Sequence, residues 1–346
     1  MESRERVLRT LAFKETDRVP FDISGRENDL SHFLGINNIE EMRKTIGIDF
    51  RHIPVSDLKD SRGLKRFHKG HEANVWGVPF ICGSNNNQEL CPLYEVSSVD
   101  EVEAYEWPSV ENINIYDIDK LLTENEGYFL SAYIWAPIFH DFTWLCGYEN
   151  CLALFLTEPE IAKAVLRRST DFWIGLTKKV LEMGGGRFDC ALNCNDFGTQ
   201  RGLLMSPDIW RAFIKPELKR FYDCIKYYEV KVYQHSCGSI AEIIPDLIEI
   251  GADILDPVQV AADGMDVTDL AEKFGGKIAF HGGIDTQYVL PFYSEEEVRA
   301  EVRKVIAALG SKGGYILCGS QEYMDDIPIE NIAAVYDEAK KIKISL

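Results

Sequence analysis

The chain is predicted to be an α/β protein folded as a single (β/α)8 TIM barrel, with its active site at the C-terminal ends of the strands. Three observations predict this. The C-terminal two thirds alternates short β-rich runs with amphipathic helical runs, the pattern of a parallel sheet under helical cover. About eight such units fall in one stretch of 346 residues without a Pro/Ser-rich linker, and that number suggests closure into a barrel. No Gly-x-Gly-x-x-Gly or Walker loop follows any strand, and Gly184-Gly185-Gly186 precedes one, the wrong side for cradling a phosphate. An open doubly wound sheet is the structural alternative. The whole of 1–346 is read as one domain, with an inserted hairpin near 74–94 around Asn85-Asn86-Asn87.

In chain order, Arg18–Asp22, Ile48–Ile53 and Tyr128–Tyr133 are the early strand candidates. Pro159 to Met183 reads as a helix, because Ile161, Val165, Phe172, Leu176 and Val180 fall on one stripe. Asp189–Asn193 reads as a strand, and Ser206-Pro207-Asp208 opens a helix to about Tyr228, with Ser at the cap and Pro at the first helical position. Strands follow at Lys231–His235, Asp253–Asp256, Lys277–His281 and Gly314–Cys318. The helices between and after them run from about Ile240 to Ile250, through Leu270, from Ser294 to Leu309, and from about Ile329 to Ile342.

Composition narrows the function. Against 37 Lys+Arg stand 56 Asp+Glu, a net charge of −19. A protein that binds nucleic acid or an anionic membrane gains affinity from a basic face, and nothing here supplies one. No run of apolar residues is long enough to span a bilayer. The N-terminus, Met1-Glu2-Ser3-Arg4-Glu5-Arg6, mixes acids with arginines and has no apolar core behind it, so it is not read as an export signal. The nine cysteines are scattered and odd in number, which fits reduced thiols in a cytoplasm.

Polar residues at the predicted strand ends are the site candidates. His235-Ser236-Cys237-Gly238 is the sharpest of them: a strand running out into a His-x-Cys turn can bring an imidazole and a thiolate to one point, and zinc takes such ligands. Cys318, at the end of the last strand, could close the ring. His281 could be a ligand, a general acid or a hydrogen-bonded rim residue. Asp196, in a Gly-rich loop, could bind or protonate substrate, or make only local turn hydrogen bonds. Asn195, Gln259 and Gln321 stand at neighbouring strand ends as candidate substrate-binding residues, and Arg26 follows the first strand.

Several longer motifs carry a resemblance. Asp196-Phe-Gly-Thr-Gln-Arg-Gly-Leu-Leu-Met-Ser-Pro-Asp-Ile-Trp, His235-Ser-Cys-Gly-Ser-Ile, Asp256-Pro-Val-Gln-Val, Gly282-Gly-Ile-Asp-Thr-Gln and Pro328-Ile-Glu-Asn-Ile, with Arg4-Glu-Arg-Val-Leu and Asp17-Arg-Val-Pro20, look like the uroporphyrinogen decarboxylase superfamily. The resemblance implies a (β/α)8 barrel and one of two chemistries, cofactor-free decarboxylation or zinc-dependent methyl transfer involving a corrinoid. Decarboxylases of the family resemble one another in an Arg-Gln-Ala-Gly-Arg-Tyr segment. Here the matching stretch is Asp22-Ile-Ser-Gly-Arg-Glu27, which keeps Gly25 and Arg26 and puts an acid in place of the first cation.

The methyltransferase branch carries His-x-Cys and a later Cys, which His235, Cys237 and Cys318 resemble. In the family pattern the closing Cys falls where Gln321 stands, three residues beyond Cys318. The resemblance therefore implies zinc, with Asp196 and His281 as catalytic groups and Arg26, Asn195, Gln259 and Gln321 on the substrate. No Asp-x-His-x-x-Gly corrinoid motif is present, so methylcobalamin or another corrinoid would arrive on a partner protein. The expected function is methyl transfer between cobalt and a thiol or methylated small molecule. The alternatives are a decarboxylase of a carboxylated small molecule or tetrapyrrole, and a non-catalytic barrel that binds a corrinoid or tetrapyrrole.

Overall fold

The computed structural model describes residues 1–58, 73–78 and 88–344. Its centre is one curled parallel sheet of seven strands in sequential order: β1 (Phe50–Pro54), β2 (Phe129–Trp135), β3 (Cys190–Cys194), β4 (Lys231–His235), β5 (Ile254–Val258), β6 (Ala279–Ile284) and β7 (Tyr315–Gly319). Parallel neighbours need a crossover between them, and helices supply it. The longest runs from Pro159 to Gly184 and buries the predicted stripe. Glu295–Leu309 is capped by Ser294 and Glu297 in a reciprocal capping box.

The expected first strand, 18–22, forms no full ladder. Phe21 makes a single parallel bridge to Leu317, and Asp22 N–H donates to the Leu317 carbonyl at 2.9 Å. On its other side, the Phe21 carbonyl accepts from Asp49 N–H. The reason is local: Pro20 has no N–H, and the Phe21 N–H is taken by the Asp49 carboxylate at 2.9 Å. The expected helix over 206–228 is also interrupted. Pro216 offers no N–H to the Ala212 carbonyl, and Trp210–Ile214 widens into a π turn between Pro207–Ile209 and Lys215–Tyr227. The expected hairpin near 74–94 has its tip, Asn85-Asn86-Asn87, outside the described residues, and Gln88–Leu90 is a 3-10 turn.

Two anchors orient this frame. Helix Ser3–Leu11 lies across the N-terminal ends of the strands: Val7 joins the inner core of Phe50, Phe129, Leu192, Tyr233 and Ile316, and Arg4 pairs with Asp189 just before β3. Asp49, fully buried, holds Arg6 at 2.6 Å and Arg18 at 2.8 Å as well as the Phe21 N–H. Replacing Asp49 by Ala leaves two largely buried guanidinium groups without that partner. It is expected to cost about 3–5 kcal/mol in urea unfolding, and a loss under about 1 kcal/mol would show the knot to be dispensable. The second anchor is Asp141, which accepts from the indoles of Trp76 and Trp173 and from Ser169. Its burial outweighs these three donors and pushes its carboxyl up to about 7.

Candidate functional site

With one end of the sheet covered, the site lies at the other, where β3, β4, β5, β6 and β7 run out. The loops after β3 and β4 touch backbone to backbone. A Cβ on Gly238, whose φ is +84°, would stand 2.5 Å from the Gly198 carbonyl carbon, so only glycine fits. That approach lets Ser239 N–H donate to the Thr199 carbonyl at 2.7 Å and Cys237 N–H donate to Asp196 Oδ1 at 2.8 Å. The Cys237 turn is thereby fixed from two sides.

His235 faces Cys237 with Nε2 and Sγ 3.2 Å apart. Its Nδ1 lies 2.5 Å from Asp256 Oδ2 on β5, so Nδ1–H donates to the carboxylate and Nε2 keeps its lone pair when the ring is neutral. From there a ladder of rings and acids crosses the site. Asp256 Oδ1 approaches His281 Nδ1 at 2.5 Å, His281 Nε2 bonds Asp22 Oδ2 at 3.0 Å, and the same oxygen takes His52 Nε2 at 2.8 Å. Burial disfavours a charged His281 ring, but the Asp256 charge and the Asp22 hydrogen bond outweigh it and raise its pKa to about 9. Asp22 and Asp256 move the other way: burial would raise them, and the imidazoles hold both below the usual carboxylate range. Asp196 is also held below that range against its burial, chiefly by the His140 hydrogen bond and the His235 charge.

Amides continue the network outward. Gln321 Nε2 donates to Cys237 Sγ at 2.8 Å and reaches Gln259 Oε1 at 3.3 Å. Gln259 Oε1 also accepts from Gly238 N–H, and its Nε2 donates to Gln200 and Gln287. Two cavities meet at Gln321 and Glu322. The inner one, about 270 Å³, is walled by Tyr133, Trp135, Leu192 and Tyr233 and floored by Asp22, His52, His281 and Cys318. The outer one, about 960 Å³, is lined by Gly198, Gln200, Cys237, Gln259, Asp325 and Asp326, among others. Among the described residues that line them, neither cavity has an Arg or Lys.

Residues 92–342 match the family model described as Uroporphyrinogen decarboxylase (URO-D). The chain belongs to the uroporphyrinogen decarboxylase family. It is 22% identical over 138 residues to the uroporphyrinogen decarboxylase of Thermus thermophilus, a match spanning 40% of this chain and 38% of that relative. A methyltransferase from Methanosarcina mazei has a similar structure, with a TM-score of 0.66 at 16% identity over 99% of each chain. At that identity the likeness establishes the shared fold.

In this member of the uroporphyrinogen decarboxylase family, the structure brings Asp196, His235, Cys237, Gln259 and Gln321 together, with Cys237, Gln259 and Gln321 on the outer cavity and His235 on the inner one. His281 and Cys318 lie on the inner one. Arg26 and Asn195 stand apart. The Arg26 guanidinium is engaged by Asp29, Asp325 and the Ile327 carbonyl, and it lines neither cavity. Asn195 is fully buried and committed to Phe139 N–H, the Ala136 carbonyl and Asn193. Sequence reasoning singled out neither His52 nor His140, placed Asp256 among the polar strand-end residues without a role, and read Cys194 as structural. His52 lies within a strand candidate, and Asp256 and Cys194 stand at strand ends, so position alone was the available signal.

Proposed function

We propose that the chain is a zinc-dependent methyltransferase working with a separate corrinoid protein, on a (β/α)8 scaffold in which Pro20–Asp22 takes the place of the eighth strand. The observation that carries this is the His235–Cys237 pair, with Nε2 and Sγ 3.2 Å apart at a strand end, His235 on the inner cavity and Cys237 on the outer one. An imidazole and a thiol suit zinc, and the Asp256 anchor on Nδ1 is the partner metal-bound histidines usually have. Cys318 is the third donor expected from the sequence. Zinc bound there would favour the thiolate form of a coordinated thiol, or polarise the heteroatom that carries a methyl group.

The residues of the chain then have distinct tasks. Asp256 fixes the His235 tautomer. Asp196 and the Gly198–Gly238 contact fix the Cys237 turn. His281, held protonated by two acids, keeps a proton at the wall of the inner cavity, and Tyr133, Trp135 and Tyr233 give that cavity apolar walls for a small substrate. A corrinoid presented by a partner would meet the open outer cavity, and Cys237, Gln259 and Gln321 would line its approach to the small molecule.

The family match and the Thermus thermophilus relative favour a second reading, a metal-free decarboxylase; of the two residues expected to serve it, Asp196 stands at the site and Arg26 lines neither cavity. The charge of the site weighs against uroporphyrinogen as its substrate. Holding carboxylates takes fixed cations, each charge-assisted contact contributing about 1.5–3 kcal/mol. Here the cavities carry Asp22, Glu322, Asp325 and Asp326, with no Arg or Lys among the described lining residues. Anaerobic incubation with uroporphyrinogen is expected to yield no coproporphyrinogen. Turnover would promote the decarboxylase reading. About one zinc per chain, together with methylation of a reduced corrinoid from a methylated small molecule or demethylation of methylcobalamin by a thiol, supports the first. Zinc-free protein would defeat it.

A further inference from the structure

We propose that Cys194 supplies the second thiolate of the metal site, beside His235 and Cys237. The inference rests on the zinc reading and names which residues of this chain would hold the ion. Cys194 is the last residue of β3 and pairs in register with His235, the last residue of β4. Paired residues on neighbouring strands share a face of the sheet, so both side chains project to the same side.

The donor atoms bear this out. The Cys194 thiol, an Asp196 carboxylate oxygen and a His235 ring nitrogen all lie within 4.8 Å of one another, and no other three potential ligands among the described residues gather so closely. His235 Nε2 is 3.6 Å from Asp196 Oδ1 and 3.2 Å from Cys237 Sγ, so an oxygen and a sulfur donor converge on one imidazole nitrogen. Cys318 has a different setting. It lies on β7, while the His235 strand is β4, and it has no place in the cluster of Cys194, Asp196 and His235. It lines the inner cavity with Asp22 and His281, and shares that cavity with His235 without joining its donor cluster.

Burial, with smaller contributions from Asp196 and Cys237, keeps the Cys194 thiol protonated in the metal-free chain, its pKa pushed up to about 12. A divalent cation reverses that preference by taking the sulfur lone pair and releasing one proton to solvent, as structural and catalytic zinc sites do with their cysteines. With two thiolates and one imidazole from the protein, the fourth position falls to Asp196 or to the substrate, the open arrangement of a catalytic site.

The test uses the full chain, freed of metal and reloaded with zinc. X-ray absorption counts the sulfur neighbours, and competition with a chromophoric chelator gives the affinity, for wild type, Cys194→Ser and Cys318→Ser. Wild type is expected to show two sulfurs. Cys194→Ser should show one and bind zinc at least about 100-fold more weakly, beyond the 10–100-fold that losing an outer partner costs. Cys318→Ser should keep both sulfurs and nearly the wild-type affinity. If Cys194→Ser fails to fold, Cys318→Ser decides alone: two sulfurs retained support Cys194. One sulfur in wild type, or a loss confined to Cys318→Ser, overturns the inference while leaving the zinc reading in place. Wild type that takes up no zinc defeats that reading and the inference with it.

Discussion

Purified Cys237→Ser protein is expected to hold little zinc. Cys237 is the thiol nearest the His235 Nε2 lone pair, and its turn is clamped by Asp196, so no neighbouring group swings into its place without breaking the loop contact. A serine hydroxyl stays protonated at neutral pH where a thiol on a metal ionises, so the substitution removes a charge as well as a soft donor. The backbone should be unchanged, because Asp196 bonds the Cys237 N–H rather than its side chain. Metal analysis after dialysis against a chelator is the measurement, with Cys224→Ser on helix Lys215–Tyr227 as the control. Corrinoid methylation should fall at least about 100-fold in step with the metal. Zinc near one equivalent in Cys237→Ser would place the metal elsewhere.

Replacing Asp22 by Asn is expected to destabilise the fold by about 3–5 kcal/mol at pH 7, the usual cost of breaking a buried ion pair from one side. Asp22 Oδ2 takes both His281 and His52, and an amide can neither balance a protonated ring nor accept as well from two of them. The sign with pH follows from His281. Its pKa rises on folding, from 6.5 to about 9. Its pairing with Asp256 and Asp22 therefore stabilises the fold fully below about pH 6.5, and that contribution, of which Asp22→Asn removes the Asp22 share, is lost as pH rises through about 9. Urea unfolding of wild type and Asp22→Asn should give a wide gap at pH 7 that narrows above pH 9. A gap of equal width at both would mean that the acid acts by shape, not by charge.

Asp22 also shows how far the sequence could be read. As a residue it was visible only as an acid standing where relatives carry a cation, which weighs against one substrate but names no role. The role comes from β5 and β6, which carry Asp256 and His281 to it across more than 200 positions of chain, a placement that no local spacing encodes. His235 and Cys237 were legible because their chemistry sits in one turn. The strand–helix alternation was legible for the same reason: periodicity is local, and β3 to β7 fall within a residue or two of their expected starts. Helix Ile138–Cys146 was not foreseen. It is buried on nearly every side, Asp141 and Thr143 included, so it shows no stripe that would separate it from a strand. An eighth strand, over 18–22, was expected from counting units, and counting could not foresee that Asp49 would take the N–H a ladder needs.

The two cavities meet, yet the charges around them are arranged differently. Along the ladder, acids alternate with rings that can carry a proton, so most of the field there closes on itself over a few ångströms. At the outer lip Asp325 and Asp326 stand toward solvent beside Glu322, with Arg26 the cation that reaches Asp325. Charges in the buried ladder are shielded little by dissolved ions, whereas those at the lip are screened over a Debye length of about 8 Å at physiological ionic strength. A small uncharged molecule entering the inner cavity should therefore be nearly indifferent to added salt. A macromolecule approaching the lip with basic residues should be drawn in faster at low ionic strength than at high, so arrival of the two reactants at this site would respond to different features of the solution.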